Sequence, residues 1–403
     1  MRLIVIGLVL TLSLFATEEI NKKWESNKNC EACHMDISSK WETSRHSNSH
    51  FTKNDLFKKS LLYMVQEEPR FQLNELKVTC AKCHNPRLTQ KSVTQKDKYL
   101  LLMDLEHVNK EYDQKLNTRN MKNGINCVVC HNIDEIHLDK SKGSQGMHNI
   151  TFGSQGTMFG PFEDANSPYH KTEKRDHFVN DDPKLCFACH YSTENHNNVE
   201  VYATGKEYDM YAKDTEQSVE GCKECHMSEK RKGVASNYSK VGEKPKERMV
   251  REHRFSSVDN SNILHDHIDV KSSSVNGKFI LKVTNNTPHN IPTGYGLREI
   301  ILKVSYFDKS DKQLGNDQVI LGTKWRDKNG KYTIPHMATM KVEDTRLEGK
   351  SSKEYSFNIP KGANYAKYTF SYRLIDEHMA KKIGVTDEFF LKEYTFSEQR
   401  VHL

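Results

Sequence analysis

The stretch Cys30-Glu31-Ala32-Cys33-His34 decides how the rest of the chain is read. The same arrangement returns at Cys80-Ala81-Lys82-Cys83-His84, Cys127-Val128-Val129-Cys130-His131, Cys186-Phe187-Ala188-Cys189-His190 and Cys222-Lys223-Glu224-Cys225-His226. These five copies use all ten cysteines. A Cys-x-x-Cys pair alone fits a dithiol, a local disulfide or half of a zinc site, but none of those requires histidine directly after the second cysteine. Histidine fills 20 of 403 positions, so five such placements by chance are on the order of one in a few million. Covalent attachment of haem c does require them. Two thiols three residues apart bond the vinyl-derived carbons at one porphyrin edge, and the next imidazole lies beneath the iron. The sequence thus specifies five c haems, with His34, His84, His131, His190 and His226 as proximal ligands.

The remaining composition agrees with a core that side chains do not fill alone. Only 35% of residues are apolar and the mean hydropathy is −0.79, a balance that leans toward disorder unless five porphyrins contribute buried surface. No cysteine is left over for a structural disulfide. The formal charge is +6. Each ferric haem with neutral axial ligands contributes about −1, so the mature holoprotein is close to neutral. Nucleic acid is not supported as a partner, since no stretch interleaves basic and aromatic residues in a binding motif.

Working outward to the N-terminus, Arg2 and the apolar stretch up to Ala16 read as a signal peptide over residues 1–16. The stretch falls short of the roughly 20 residues a membrane span needs, and no later run is apolar enough. The expectation is an exported, periplasmic protein with no membrane span after cleavage, or one displayed at the cell surface. Residues 17–262 hold all five motifs, separated by 50, 47, 59 and 36 residues from first cysteine to first cysteine, with no tandem repeat between them. This region is expected to be mostly irregular with short α-helices. A helix is expected from Lys98 to Leu116, where Leu101, Leu105, Val108 and Tyr112 keep helical spacing. A long ordered loop is expected from Ser141 to Pro168. The basic stretch Lys230, Arg231, Lys232, Lys240, Lys244, Lys246, Arg248, Arg251 and Arg254 reads as a solvated linker, or else as a docking face or a set of propionate counter-ions.

From residue 263 to 403 the period changes to two. Phe279, Leu281 and Val283 alternate with polar neighbours, as do Tyr355, Phe357 and Ile359, and Tyr368, Phe370, Tyr372 and Leu374. Turn signals such as Asn329-Gly330 and Pro360-Lys361-Gly362 separate the runs. An antiparallel immunoglobulin-like β-sandwich of about seven strands is expected here as a second domain.

Several segments carry a family resemblance. Cys30-x-x-Cys33-His34 followed by Trp41-x-x-Ser44-x-His46 resembles the opening of multihaem cytochromes of the c-554 type and the c-prime superfamily, in which such a histidine caps a neighbouring haem. Gly124-Ile125-Asn126-Cys127 and Cys225-His226-Met227 resemble the surroundings of later haems there. Ser167-Pro168-Tyr169-His170 and His253-Arg254-Phe255 resemble distal-ligand segments. Pro288-His289-Asn290-Ile291-Pro292-Thr293-Gly294 is similar to a turn of pentahaem-type relatives in which the β-domain reaches back to a haem, with Ile291 in place of the usual aromatic. Asp344-Thr345-Arg346-Leu347 resembles a recurrent strand start. The resemblance implies His46, His170, His253 and His289 as distal ligands. The fifth cap is left between His107 and His148, with His50, His137 and His177 behind them and an uncapped iron as the remaining choice.

These features point to a carrier that moves electrons between a membrane quinol dehydrogenase and a terminal reductase or another cytochrome. The other class is a haem enzyme with one open iron, acting on a nitrogen or sulfur oxyanion, hydroxylamine or peroxide. Pentahaem nitrite reductases attach their catalytic haem through Cys-x-x-Cys-Lys, and hydroxylamine-oxidising relatives carry eight haems. No motif here ends in lysine and the motifs number five, which favours the carrier.

Overall fold

The computed structural model describes residues 27–86, 95–103, 105–118, 121–154, 156–180, 183–213, 221–239 and 243–403; the expected signal peptide lies outside them. In residues 27–262 four of the cysteine motifs sit on short helices that end at the motif histidine, Leu73–His84, Cys127–His131, Lys184–His190 and Cys222–His226, while the helix Asn27–Glu31 carries only the first cysteine of the first motif. Helical spacing is what the chemistry asks for, because residues three apart share one helix face and so present both thiols to the same side. After the first motif, His34 serves as the N-cap residue of the helix Met35–Glu42.

The longest helix, Asp55–Glu67, starts where Asn54 Oδ1 accepts from the Phe57 amide at 2.9 Å. It buries Leu56, Leu61, Tyr63 and Met64 along one stripe. The single helix expected over 98–116 is two, Gln95–Leu102 and Glu106–Leu116. Leu105 adopts an extended backbone at the second helix's start, and Leu101, Val108, Tyr112 and Leu116 are buried in one apolar cluster against Val78 and Ala81. The helical spacing was real, but packing of both pieces against Leu73–His84 breaks the axis. The expected loop over 141–168 contains short strands, Ile150–Phe152 and Thr157–Gly160.

The basic stretch is not an open linker. Arg231–Val234 and Glu247–Val250 pair antiparallel, and Lys232 bonds Glu247 while Arg231 bonds Glu252. Lys246 and Arg248 both hold Asp164, and Arg251 holds Glu224. Much of the positive charge of its described residues is matched locally, and Lys240 lies outside them.

The C-terminal region holds two antiparallel sheets. Ser351–Asn358, Lys278–Asn285 and Ile268–Val275 form one of three strands in that order. Gln313–Leu321, Glu299–Phe307, Tyr365–Arg373 and Tyr394–His402 form the other, of four. Phe279, Leu281 and Val283 from the first meet Ile300, Leu302, Tyr306, Tyr368 and Phe370 from the second in one buried cluster. A further pair, Thr323–Arg326 with Met340–Asp344, lies outside these sheets. Asp344 therefore ends a strand rather than starting one, and Leu347 bridges to Ile291 instead.

The two regions are joined by a second apolar cluster. Leu56, Leu61, Tyr63 and Met64 pack with Leu297, Trp325, Ile334, Met379, Ala380 and Ile383. Asp55 Oδ2 also accepts from the Thr386 and Asp387 amides, at 2.8 and 3.2 Å. The β-region is thus docked by an apolar interface, and its loops are held over the cysteine motifs.

Candidate functional site

One cavity of about 1830 Å³ is lined by at least one cysteine and the histidine of all five motifs. His46, His170, His253, His289 and His336 also line it. Around it, thiols of different motifs are neighbours. Cys127 interacts with Cys30, Cys189 with Cys83 and Cys222 with Cys186. Cys130 lies within the electrostatic reach of Cys186. The first motif thus adjoins the third, the third adjoins the fourth, and the fourth adjoins both the second and the fifth.

Four pairs of histidine rings face each other across this space. The ring centres are 6.4 Å apart for His34 and His170, 6.1 Å for His46 and His190, 6.1 Å for His131 and His253, and 6.5 Å for His226 and His289. A metal–imidazole bond near 2.0 Å on each side, plus about 1.1 Å from nitrogen to ring centre, puts two axial imidazoles about 6.2 Å apart. The gaps match one intervening iron and are too wide for direct stacking. Most of these rings have Nδ1 committed to a carbonyl, which leaves the Nε2 lone pair for a metal. His34 donates to Ala235 O at 2.6 Å, His131 to Phe159 O at 2.7 Å, His253 to Arg251 O at 3.1 Å and His289 to Asn290 O at 3.0 Å.

The segment that carries His46 is pinned from behind. Trp41 is buried, with Nε1 donating to Ile125 O at 2.8 Å, and the Ile125 amide donates to the His46 carbonyl at 3.0 Å. Gly124 has φ +59°, and a Cβ there would come 2.6 Å from His46 O and strike Ser49 Oγ. Only glycine allows this close crossing. Burial drives His46 down to about 3, helped by His190 and His226 nearby, so the imidazole is neutral and able to coordinate.

The second motif finds its partner elsewhere. His84 donates to Ser49 O at 3.3 Å and stacks on Phe57 at 4.1 Å. His84 in turn acts electrostatically on His336, which lines the same cavity on the turn Pro335–Met337 of the β-region. His336 lies beside Tyr295 with ring centres 6.0 Å apart, and burial first, then His84, brings it down to about 4. The sequence reading missed it. The signal was the dipeptide Pro335-His336, which repeats Pro288-His289.

The structure does not bring His107 or His148 to the cavity. Both are exposed, His107 on the helix Glu106–Leu116 and His148 on the turn Met147–Asn149. His50 is buried, but its ring nitrogens meet Leu116 O and Thr52 Oγ1 at 2.8 and 2.9 Å. His137 lies exposed beside Thr151.

A haem would also bring carboxylates, and the wall offers donors for them. Arg45 Nε is buried on the lining with no hydrogen-bond partner, while Arg298, Lys82 and Lys223 line the same space. An orphaned buried guanidinium nitrogen is costly unless a ligand oxygen meets it. Together the paired rings, the shared thiol faces and the orphaned donor fit covalently held haem.

The family model for outer membrane cytochrome MtrC/MtrF-like, domains II/IV, matches residues 63–239. Among solved structures, the penta-heme cytochrome c552 from Thermochromatium tepidum is similar over 94% of this chain and 98% of its own, with 19% identity and a TM-score of 0.69. The putative ApaA protein from Bordetella pertussis aligns over 33% of this chain and 89% of its own, with 11% identity and a TM-score of 0.17. That last score is too low to carry an argument. No curated protein matches. The fold is that of a multihaem cytochrome, and no helix among the described residues is long and apolar enough to cross a membrane.

Proposed function

We propose that the chain is an exported electron carrier that holds five c haems, each between two histidines. The observation that carries this reading is the set of four facing ring pairs 6.1 to 6.5 Å apart; the fifth pair, His84 with His336, is read from their shared place on the cavity wall. The ligand pairs are His34 with His170, His84 with His336, His131 with His253, His190 with His46, and His226 with His289. Bound there, the haems would supply one-electron redox centres. The protein's own part is to fix both imidazoles at each site, keep His46, His84, His131, His190, His226, His253, His289 and His336 neutral by burial, and exclude water from between the rings. Two strong axial ligands keep the geometry unchanged on reduction, which suits electron transfer and leaves no position open for a substrate.

The adjacency of the motifs supports a branched arrangement of sites. Haems held at adjoining motifs would let electrons exchange between the first and third sites, the third and fourth, and the fourth and either the second or fifth. His289 and His336 both come from loops of the C-terminal region, which we read as a β-sandwich whose role is to complete two of the five sites. Its partners are other redox proteins, a quinol dehydrogenase on one side and a reductase or second cytochrome on the other, in the periplasm or at the cell surface.

Haem counting by pyridine haemochrome, joined to a potentiometric titration, tests this reading. Five haems per chain that reduce reversibly, with no turnover of nitrite, hydroxylamine, sulfite or peroxide, are expected. Fewer than five haems, or rapid substrate reduction, would contradict it.

A further inference from the structure

His289 and His336 stand on turns of the C-terminal region, and an asparagine side chain holds each turn. Asn285, buried at the end of the strand Lys278–Asn285, donates from Nδ2 to His289 O at 2.9 Å and to Glu348 O at 3.0 Å. Its Oδ1 accepts from the Thr287 amide at 2.9 Å. Here the holder and the histidine belong to the same region. For His336 the holder comes from the other one. Asn195 Nδ2 donates to Pro335 O at 2.9 Å and to Ala338 O at 2.8 Å, one carbonyl on each side of His336. Its Oδ1 accepts from the Asn197 and Val199 amides at 2.8 and 3.1 Å. Asn197 Nδ2 adds a third bond across the boundary, to Ala338 O at 3.0 Å.

These partners fix which way the Asn195 amide points. Two carbonyls face one end and two N–H groups the other, so Nδ2 and Oδ1 cannot change places. Both Nδ2 protons are committed, one to each carbonyl. Asn195 lies in the hairpin that pairs Thr193–Glu194 with Glu200–Tyr202, just after the helix Lys184–His190 of the fourth motif. The turn it holds, Pro335–Met337, is short, and its flanking residues Ile334 and Ala338 are fully buried. Carbonyls in such a place need a donor, and leaving them without one is costly. The fold supplies that donor from the haem-bearing region. Asn195 and His336 line the same cavity.

We infer that Asn195 is the positioning residue of the second site: it clamps the turn that carries His336 and so keeps the distal position of that site closed. The inference rests on the reading of His336 as a haem ligand. It ties ligation at the second site to the register between the two regions. Loss of the clamp frees His336 alone, because His289 has its own holder in Asn285. The second site is then the one that opens to a small ligand.

The test is electron paramagnetic resonance on the oxidised holoprotein and carbon monoxide binding to the reduced one. It compares the parent with Asn195→Asp, Asn197→Ala and His336→Ala. Asn195→Asp keeps an acceptor for the Asn197 and Val199 amides, so the hairpin keeps its turn, but it has no proton for the two carbonyls. It is expected to retain its haem, to turn about one haem in five high-spin, and to bind carbon monoxide at that haem at least about tenfold faster than the parent. Asn197→Ala removes one of the three bonds and is expected to speed the same binding by at least about threefold. An Asn195→Asp protein that is all low-spin and binds carbon monoxide as the parent does overturns the inference. Should that variant not accumulate, unchanged binding in Asn197→Ala overturns it instead. His336→Ala keeps the two readings apart. If it stays low-spin throughout, the ligand assignment fails; if it shows high-spin haem and Asn195→Asp does not, the clamp alone fails.

Discussion

An imidazole can bind a metal only as its neutral form, and burial ensures this for His190, His226, His253 and His336, each brought down to about 4. His107 and His148 are exposed and do not line the cavity. His336→Ala is therefore expected to convert about one haem in five to high spin, read by electron paramagnetic resonance. His107→Ala and His148→Ala are expected to change nothing; a high-spin signal in either would reverse the assignment. Asp344 illustrates a carboxylate with a structural role. Burial works to raise it, but hydrogen bonds from Arg346 and Lys341 outweigh that and hold it at about 2. A depressed carboxyl stabilises the fold above its ordinary value near 3.8 and loses that contribution as pH falls through about 2. Asp344→Asn should thus cost on the order of 1–2 kcal/mol at neutral pH, with the gap to the parent closing in acid denaturation below about pH 4. The five attachment motifs were readable because their chemistry is local, five residues long. His336 was not, because a distal ligand is set by which loop the fold carries over the iron, and only the neighbouring proline hinted at it.

Elements were readable where burial follows a simple period. The alternation in Phe279, Leu281 and Val283 and in Tyr368, Phe370 and Tyr372 marks strands whose inward residues are all buried. The helical spacing around Leu101 and Val108 was equally clear, yet it could not reveal that Leu105 is extended and divides two helices. The basic stretch looked free because its acidic partners, Asp164 and Glu224 among them, lie elsewhere in sequence. Gly124 shows how an element's position depends on one backbone angle. Gly124→Ala places a Cβ against Ser49 Oγ and the His46 carbonyl at a φ of +59°. It is expected to cost more than about 1 kcal/mol in thermal unfolding and to shift the spectrum of the haem capped by His46. An unperturbed low-spin spectrum in that variant would show that the Trp41–His46 segment is not held by this crossing.

The molecule as a whole is polar for its length, with 35% apolar residues, and still builds a cavity lined by every motif. Two apolar clusters, one inside the β-region and one between it and the helix Asp55–Glu67, give the rigidity that side chains around the cavity do not. The change of period near residue 263 marked the second region in the sequence. Its docking was hidden, since Leu56 and Tyr63 meet Met379 and Ile383 across more than three hundred residues. That docking sets His289 and His336 in place, and so links the β-region to the redox chemistry. The most direct measurement is electron paramagnetic resonance on the oxidised, purified protein, with total haem counted on the same sample. Five haems per chain, all low-spin, are expected when every iron lies between two histidines. A high-spin signal from about one haem in five would contradict this, and would mark an open site where a substrate could bind.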